Sequence, residues 1–387
     1  VGVAGIAESG APLDVEGRPL APVIAWHDPR GGEVVAALHD RLGAGLDRRI
    51  GQRLRTVSSV AKLGWLVDHG AERARRWLGV PELVVHALTG AVATEHSLAA
   101  RTGAWDVAER RYMPEVTAAL GLPADVFAPV TPAGQVVGRV SAPAAAWSGL
   151  APGAPVTLAG HDHLAGLTGA GAGRDDLVNS VGTAETVVGR TATLPDVDLA
   201  LSLRAAVTVP PGGEGWAVLG SGARSGLVLD AVAGALGHPP EALDRLAAAS
   251  GSGAGADTVD SVDAVDAVDA VDAEELVDAA AAGQPLVLPP GTPGQVWDGV
   301  LRALASRTWE AAGRVQQVVG GGARLVVFGG GSRSRPWVRA KAALGPLPVW
   351  RCTVPEAVAR GAAVWAGTAA GWWTDPSEAP AAPLERA

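Results

Sequence analysis

The segment from Val156 to Ala165 constrains this chain most. Val156–Ala159 is a compact apolar run, too short for a helix, and it delivers Gly160-His161-Asp162-His163 ahead of small and apolar residues. A short apolar run bounded by glycine reads as a buried strand, and ligands bind at the carboxyl ends of strands in α/β sheets. The pattern recurs at Arg324–Phe328, a strand entering Gly329-Gly330-Gly331 before a helical segment. Val1–Ile6 and Pro285–Leu288 read as further strands. Helical spacing appears over residues 33–42, 58–69, 225–236, 240–249, 295–319 and 355–370. Leu177–Ser180, a Val181-Gly182-Thr183 turn and Ala184–Val188 make a hairpin pattern. Strands and helices alternate in both halves, which predicts α/β architecture. A boundary near Asp175 then divides residues 1–174 from residues 175–387.

A chain of 387 residues is long enough for about two such domains. The formal net charge of −9 is one local feature. Nine acids lie between Asp257 and Asp278 with no Lys or Arg among them, and without them acids and bases balance. No basic surface for nucleic acid is expected. The Val-Asp-Ala triplets of residues 259–273 match neither helical nor strand period. The stretch of about 255–278 is therefore expected to be a solvated acidic insert. No run of 18 apolar residues indicates a membrane span. Cys352 stands alone, and a reducing cytoplasm is the natural setting. The only Met is Met113 and the chain opens inside an apolar run. The expectation is that a natural start precedes Val1.

Several nucleotide motifs are missing. Neither Lys62 nor Lys341 sits in a P-loop, and Gly169-Ala-Gly171-Ala-Gly173 lacks the strand, helix start and distant acid of a dinucleotide fingerprint. No nucleophile elbow occurs. Asp162 can take a proton from a substrate hydroxyl, as phosphoryl transfer requires, or it can cap the following helix; the residues alone leave both open. His161 and His163 would share one face of a strand as a metal pair, but no third ligand is spaced to join them. The Gly182-Thr183 turn can aim N–H groups at an anion or be an ordinary hairpin. Gly329-Gly330-Gly331 permits close approach of a flat ligand such as adenine, or is a plain tight turn.

A series of strings carries a family resemblance. In order they are AWHDPR (25–30), KLGWLVDH (62–69), LTG (88–90), SLAART (97–102), GHDHLAG (160–166), NSVGTAETV (179–187), FGGGSRSRPW (328–337) and EAVARGAAVWAG (356–367). Each is weak alone; eight in one order resemble the FGGY carbohydrate kinases. The resemblance implies a two-domain actin-like ATPase fold with a ribonuclease H-like core, closing around ATP and a sugar. It implies ATP-dependent phosphorylation of a small sugar, polyol or sugar acid, with ATP and Mg²⁺ as cofactors. Asp162 would be the catalytic base and would hold Mg²⁺ through water. Glu8, Trp26, Asp28, Arg30 and His163 would contact the sugar. Gly182 and Thr183 resemble the second phosphate turn, and Gly226, Gly329, Gly330 and Ser334 resemble the adenosine side.

Two departures accompany the resemblance. Ile6-Ala7-Glu8-Ser9 differs from the Gln-Met-His-Gly of xylulokinases and from the Arg of glycerol kinases, which argues against both substrates. The family's opening Asp-x-Gly-Thr hairpin is absent, so the first strands of the N-terminal domain are expected to be missing and this chain by itself to be inactive. A sugar-binding pseudokinase of the same fold is the alternative, and an actin-like chaperone or filament ATPase is disfavoured by the sugar-side strings. A homodimer is compatible with the reading; membrane and nucleic acid are not expected partners.

Overall fold

The structure is a computed structural model that describes residues 1–251 and 270–387; the triplets of residues 259–269 lie outside the described residues. The chain forms two compact units. The first comprises Val1–Arg174, Arg190–Leu219 and Glu356–Ala382, and the second Asp175–Gly189, Gly220–Pro355 and Pro383–Ala387.

The first unit is organised by a parallel pair. Gly2–Gly5 lies beside Pro155–His161, with Gly2 opposite Thr157 and Gly5 opposite His161 and a register shift between Val3 and Ala4. The short strand Gly138–Arg139 runs antiparallel along the other edge of Pro155–His161. Val156, Leu158, Leu98, Val85, Leu88 and Val140 make one core around these strands. A second core, around Leu38, Ile50, Val60, Leu63, Met113 and Val126, gathers the helices Gly32–Leu42, Gly45–Ile50 and Ser59–Asp68. Both the 33–42 and 58–69 helical patterns are thus realised, because their apolar residues recur on one face.

The helix Ala357–Ala369 packs in the first unit although it lies near the end of the chain. Small residues decide this. A Cβ on Gly361 would stand 1.8 Å from the Ala165 carbonyl oxygen, and one on Gly169 would stand 1.7 Å from that of Ala357. The helices Asp162–Gly169 and Ala357–Ala369 therefore touch backbone to backbone.

The second unit holds a sheet in which Leu177–Val181 pairs antiparallel with Glu185–Thr191 and parallel with Leu325–Phe328. Leu325–Phe328 in turn pairs parallel with Val349–Cys352, and the chain's last strand, Leu384–Arg386, closes the edge antiparallel. The long helix Pro293–Val319 starts with a capping box, Thr292 accepting from Gln295 N–H while the Gln295 side chain accepts from Thr292 N–H.

Two sequence expectations fail here. Pro285–Leu288 is not a strand; it lies between the helices Ala270–Ala281 and Pro293–Val319, with Val287 exposed. Pro285, Pro289 and Pro290 remove the N–H groups a ladder would need. The acidic stretch does not stay solvated to Asp278. Ala270–Ala281 is a helix that buries Ala273, Leu276, Val277 and Ala280, and Glu274 and Asp278 both pair with Arg307 of the long helix. Those four residues recur at i, i+3, i+4 and i+7, a helical stripe that the triplet rhythm before it disguises.

The backbone contact at Gly361 yields a test. Gly361→Ala has no side-chain rotation to relieve the clash with a carbonyl, so it should cost about 3 kcal/mol or more, the upper range for overpacking. Urea unfolding should show the loss as a lower midpoint at unchanged slope; an unaltered midpoint would mean that the two helices do not meet at this glycine.

Candidate active site

Because Gly5 pairs with His161 in parallel, the residues after each strand leave from the same end of the sheet. Glu8 follows one strand and Asp162 follows the other. The turn into Asp162 depends on Gly160, whose φ of 91° is left-handed and whose Cβ would lie 2.5 Å from Ser97 Oγ and 2.6 Å from Glu95 Oε2. Behind it, His161 N–H donates to Ser97 Oγ at 2.9 Å, and the Ser97 hydroxyl donates to Glu95. The helix begins at Asp162 with His161 in the capping position, so Asp162 does not act as its N-cap. Its carboxylate instead accepts from His163 N–H at 2.7 Å and faces His161 Nε2 at 3.2 Å.

Burial by itself would raise the Asp162 pKa, but the His161 and His163 imidazoles and the His163 N–H outweigh it and hold the acid below its usual range. Burial pushes His161 down to about 4, so it is neutral near pH 7. Glu8 is buried too, and there Arg101 overcomes the burial and keeps it ionised. Arg101 Nε donates to Glu8 Oε1 at 2.7 Å and its Nη1 to Gln52 Oε1 at 2.6 Å. This end of the sheet thus carries two ionised acids, a cation that pairs with one of them, and a neutral imidazole.

Trp26, Asp28 and Arg30 form a neighbouring group. Arg30 donates to both oxygens of Asp28, at 2.8 and 2.5 Å, and lies over the Trp65 ring at 4.8 Å. Lys62 donates to the Asp28 carbonyl, and Trp26 is half-buried against His27. Asp28 and Arg30 are bonded to each other, and Lys62 fixes their loop. The link to the sheet end is Ser59, from the same helix as Lys62, whose hydroxyl meets the Glu8 carbonyl at 3.5 Å.

In the second unit the sequence-selected residues converge. Gly182 and Thr183 occupy the exposed tip of the hairpin. A Cβ on Gly226 would lie 2.7 Å from Gly182 O, and one on Gly329, at φ 100°, would lie 2.5 Å from Val181 O. Gly330 has open space about its Cα. Ser334 serves the backbone, since its hydroxyl caps the helix Arg335–Leu344 and donates to Asp244 Oδ1 at 2.9 Å. Beneath the tip, Lys341 and Glu185 form a fully buried ion pair. Lys341 also donates to Asn179 Oδ1 at 2.6 Å, and Glu185 accepts from Ser225 Oγ at 2.6 Å and from Thr308 Oγ1 at 2.7 Å.

Arg101, Gln52, Ser97, Glu95, Lys341 and Glu185 were not selected from sequence. Arg101, Ser97 and Glu185 lie within the strings SLAART and NSVGTAETV, so the signal was present without any indication of role.

The fold is that of sugar kinases. The structure superposes on a xylulose kinase from Lactobacillus acidophilus with a TM-score of 0.78 at 16% identity, covering 99% of this chain and 78% of that one. A Plasmodium falciparum glycerol kinase with ADP gives 0.78 at 15% identity, with the same coverage of each chain. These likenesses establish the actin-like ATPase fold. Residues 1–169 match the model of the N-terminal domain of the FGGY family of carbohydrate kinases. L-fuculokinase of Escherichia coli K12 is 34% identical over 194 residues, 47% of this chain and 40% of the relative. An autoinducer-2 kinase of Yersinia enterocolitica is 30% identical over 165 residues, 41% of this chain and 31% of the relative. The chain thus matches less than half the length of these curated relatives.

Two expectations follow from the charges. Burial lifts Glu95 to about 7, while the unfolded value is near 4.5. A raised folded pKa means stability present at low pH and lost as pH rises through about 7. Glu95→Gln keeps an acceptor for Ser97 and cannot ionise. Relative to wild type it should be near neutral at pH 5 and more stable at pH 8, by on the order of 3 kcal/mol. Denaturant curves at the two pH values decide this, and a pH-independent difference would refute it. Lys341→Met strands the Glu185 charge and should cost about 3–5 kcal/mol, with part recovered in Lys341→Met/Glu185→Gln. Equal losses in the single and double variants would show that the charge is not the cause.

Proposed function

We propose that the whole protein of which this chain is the described part phosphorylates a hydroxyl of a small sugar, polyol or sugar acid at the expense of ATP, with Asp162 as general base. The observation that carries the reading is Asp162 itself, held ionised at the carboxyl end of a sheet strand beside Glu8 and Arg101. An ionised carboxylate there can take the proton of a substrate hydroxyl. The hydroxyl oxygen forms its bond to the terminal phosphorus of ATP as the bond from that phosphorus to ADP breaks, and the proton remains on Asp162 Oδ. Glu8 and Arg101 orient the neighbouring hydroxyls, and His163, Trp26, Asp28 and Arg30 line the same side in this reading.

The nucleotide side falls to the second unit. Gly182 and Gly330 leave open space for a phosphate chain and a flat base, while Gly226 and Gly329 let their own backbones pack against the hairpin at Val181–Thr183. Thr183 adds a hydroxyl at that tip, and Ser334 sets the start of the helix beyond the glycine loop. Mg²⁺ bound with the nucleotide would neutralise phosphate charge, with Asp162 holding it through water.

The names of the relatives, L-fuculokinase and autoinducer-2 kinase, suggest the substrate class. Coupled detection of ADP from the whole protein over a panel of small sugars, polyols and sugar acids, including those for which these relatives are named, should reveal turnover with at least one. Asp162→Asn should then lower kcat by about 10²–10⁴-fold while sugar binding by calorimetry persists. ADP at background across the panel would overturn the kinase reading, and full turnover in Asp162→Asn would remove Asp162 from the role of base.

A further inference from the structure

His161, Asp162 and His163 each place a metal-ligating atom within 4.8 Å of the other two. The sequence suggested two imidazoles without a third donor; the structure supplies that donor between them. The strand ends at His161 and the helix begins at Asp162, so the change of direction swings three consecutive side chains toward one point. His161 Nε2 and Asp162 Oδ1 are already 3.2 Å apart. That is close to the separation of neighbouring ligands in a tetrahedral set with bonds of about 2.0–2.1 Å. The His163 ring stands at 90° to the His161 ring with 5.1 Å between centroids, and His163 is less buried, so a change of rotamer can complete the set.

The other nitrogen of the His161 ring does not compete with this arrangement. His161 is buried, and its Nδ1 has no hydrogen-bond partner among the described residues. Nε2, the nitrogen that faces Asp162 Oδ1, is the one placed for a metal, and Nδ1 has no bond that would fix the opposite tautomer. The donor types select the ion. Two imidazoles and one carboxylate suit zinc and its neighbours, whereas Mg²⁺ prefers an all-oxygen shell. The nearby Arg101 does not compete for these donors, being occupied by Glu8 and Gln52.

We propose that His161, Asp162 and His163 bind a divalent transition metal of the zinc class, leaving a fourth position to solvent. Its consequence, exclusion of the substrate hydroxyl from Asp162 and hence inhibition by micromolar zinc, rests on the kinase reading. The binding does not.

The experiment is therefore spectroscopic. Metal-free protein is titrated with Co²⁺ as a stand-in for zinc. The expected result is one visible d–d absorption band of a four- or five-coordinate ion, saturating at one equivalent and erased by Zn²⁺. His163→Gln and Asp162→Asn should each weaken Co²⁺ binding by about 10-fold or more, of the size that even outer-shell changes produce. His39→Gln, whose ring pairs with Asp47 elsewhere, should leave it unchanged. Far-ultraviolet circular dichroism confirms folding, and His163, the less buried of the two imidazoles, gives the variant that best preserves it. Absence of the band, or a band that survives in both site variants, overturns the proposal. Absence of ADP formation by the metal-free protein with Mg-ATP, beside an intact band in the Co²⁺ titration, would count against the kinase reading alone.

Discussion

The register of two parallel strands sets the chemistry of the first unit. Gly5 opposite His161 sends Glu8 and Asp162 out of the sheet side by side. A slip of one residue would turn every side chain of the strand to the other face and separate the two acids. What holds the register is mainly steric. Gly160 turns in a conformation that other residues avoid, because a side chain there would strike Ser97 and Glu95. Gly169 and Gly361 let a helix from the end of the chain lie directly on the helix that Asp162 begins.

The second unit uses a different device. Its hairpin tip is exposed and rich in small residues, which by themselves would be loosely placed. Lys341 and Glu185, both fully buried, tie the hairpin to the helices Ser225–Leu236, Pro293–Val319 and Arg335–Leu344 through Ser225, Thr308 and Asn179. Burial opposes the charge on Lys341, and Glu185 and Asn179 offset it. Such a network adds little net stability over an apolar core, but it penalises alternative packings that would leave one charge alone. Flexible glycines at the tip and a single allowed arrangement beneath it are compatible because they occupy different layers.

Asp162 sits where three demands meet. Its neighbours keep it ionised, it stands at the carboxyl end of a sheet strand, and its two flanking imidazoles are metal ligands by type. The held negative charge that makes a carboxylate a good base at neutral pH also makes it a good metal ligand. Arg101 and Glu8 lie on the other side and satisfy each other. The chemistry open to this site is therefore decided by what competes for one carboxylate.

Much of this was readable from the chain. The strand-then-polar-cluster pattern at residues 156–163, the hairpin at Gly182 and the glycine loop after Phe328 each depend on local residue order, and local order specifies local backbone. The family resemblance came from the same short strings. The partners of those residues were not readable. Arg101 and Glu8 are far apart in sequence, as are Lys341 and Glu185, and pairing over such distances follows from sheet register and helix packing. The helical end of the acidic stretch was hidden because its apolar stripe acquires meaning only against Arg307 and the long helix. Likewise the third metal donor, Asp162, was adjacent to both histidines in sequence, yet strand alternation placed it on the opposite face. Only the change from strand to helix at that residue, a consequence of the surrounding packing, turned the three side chains toward one another.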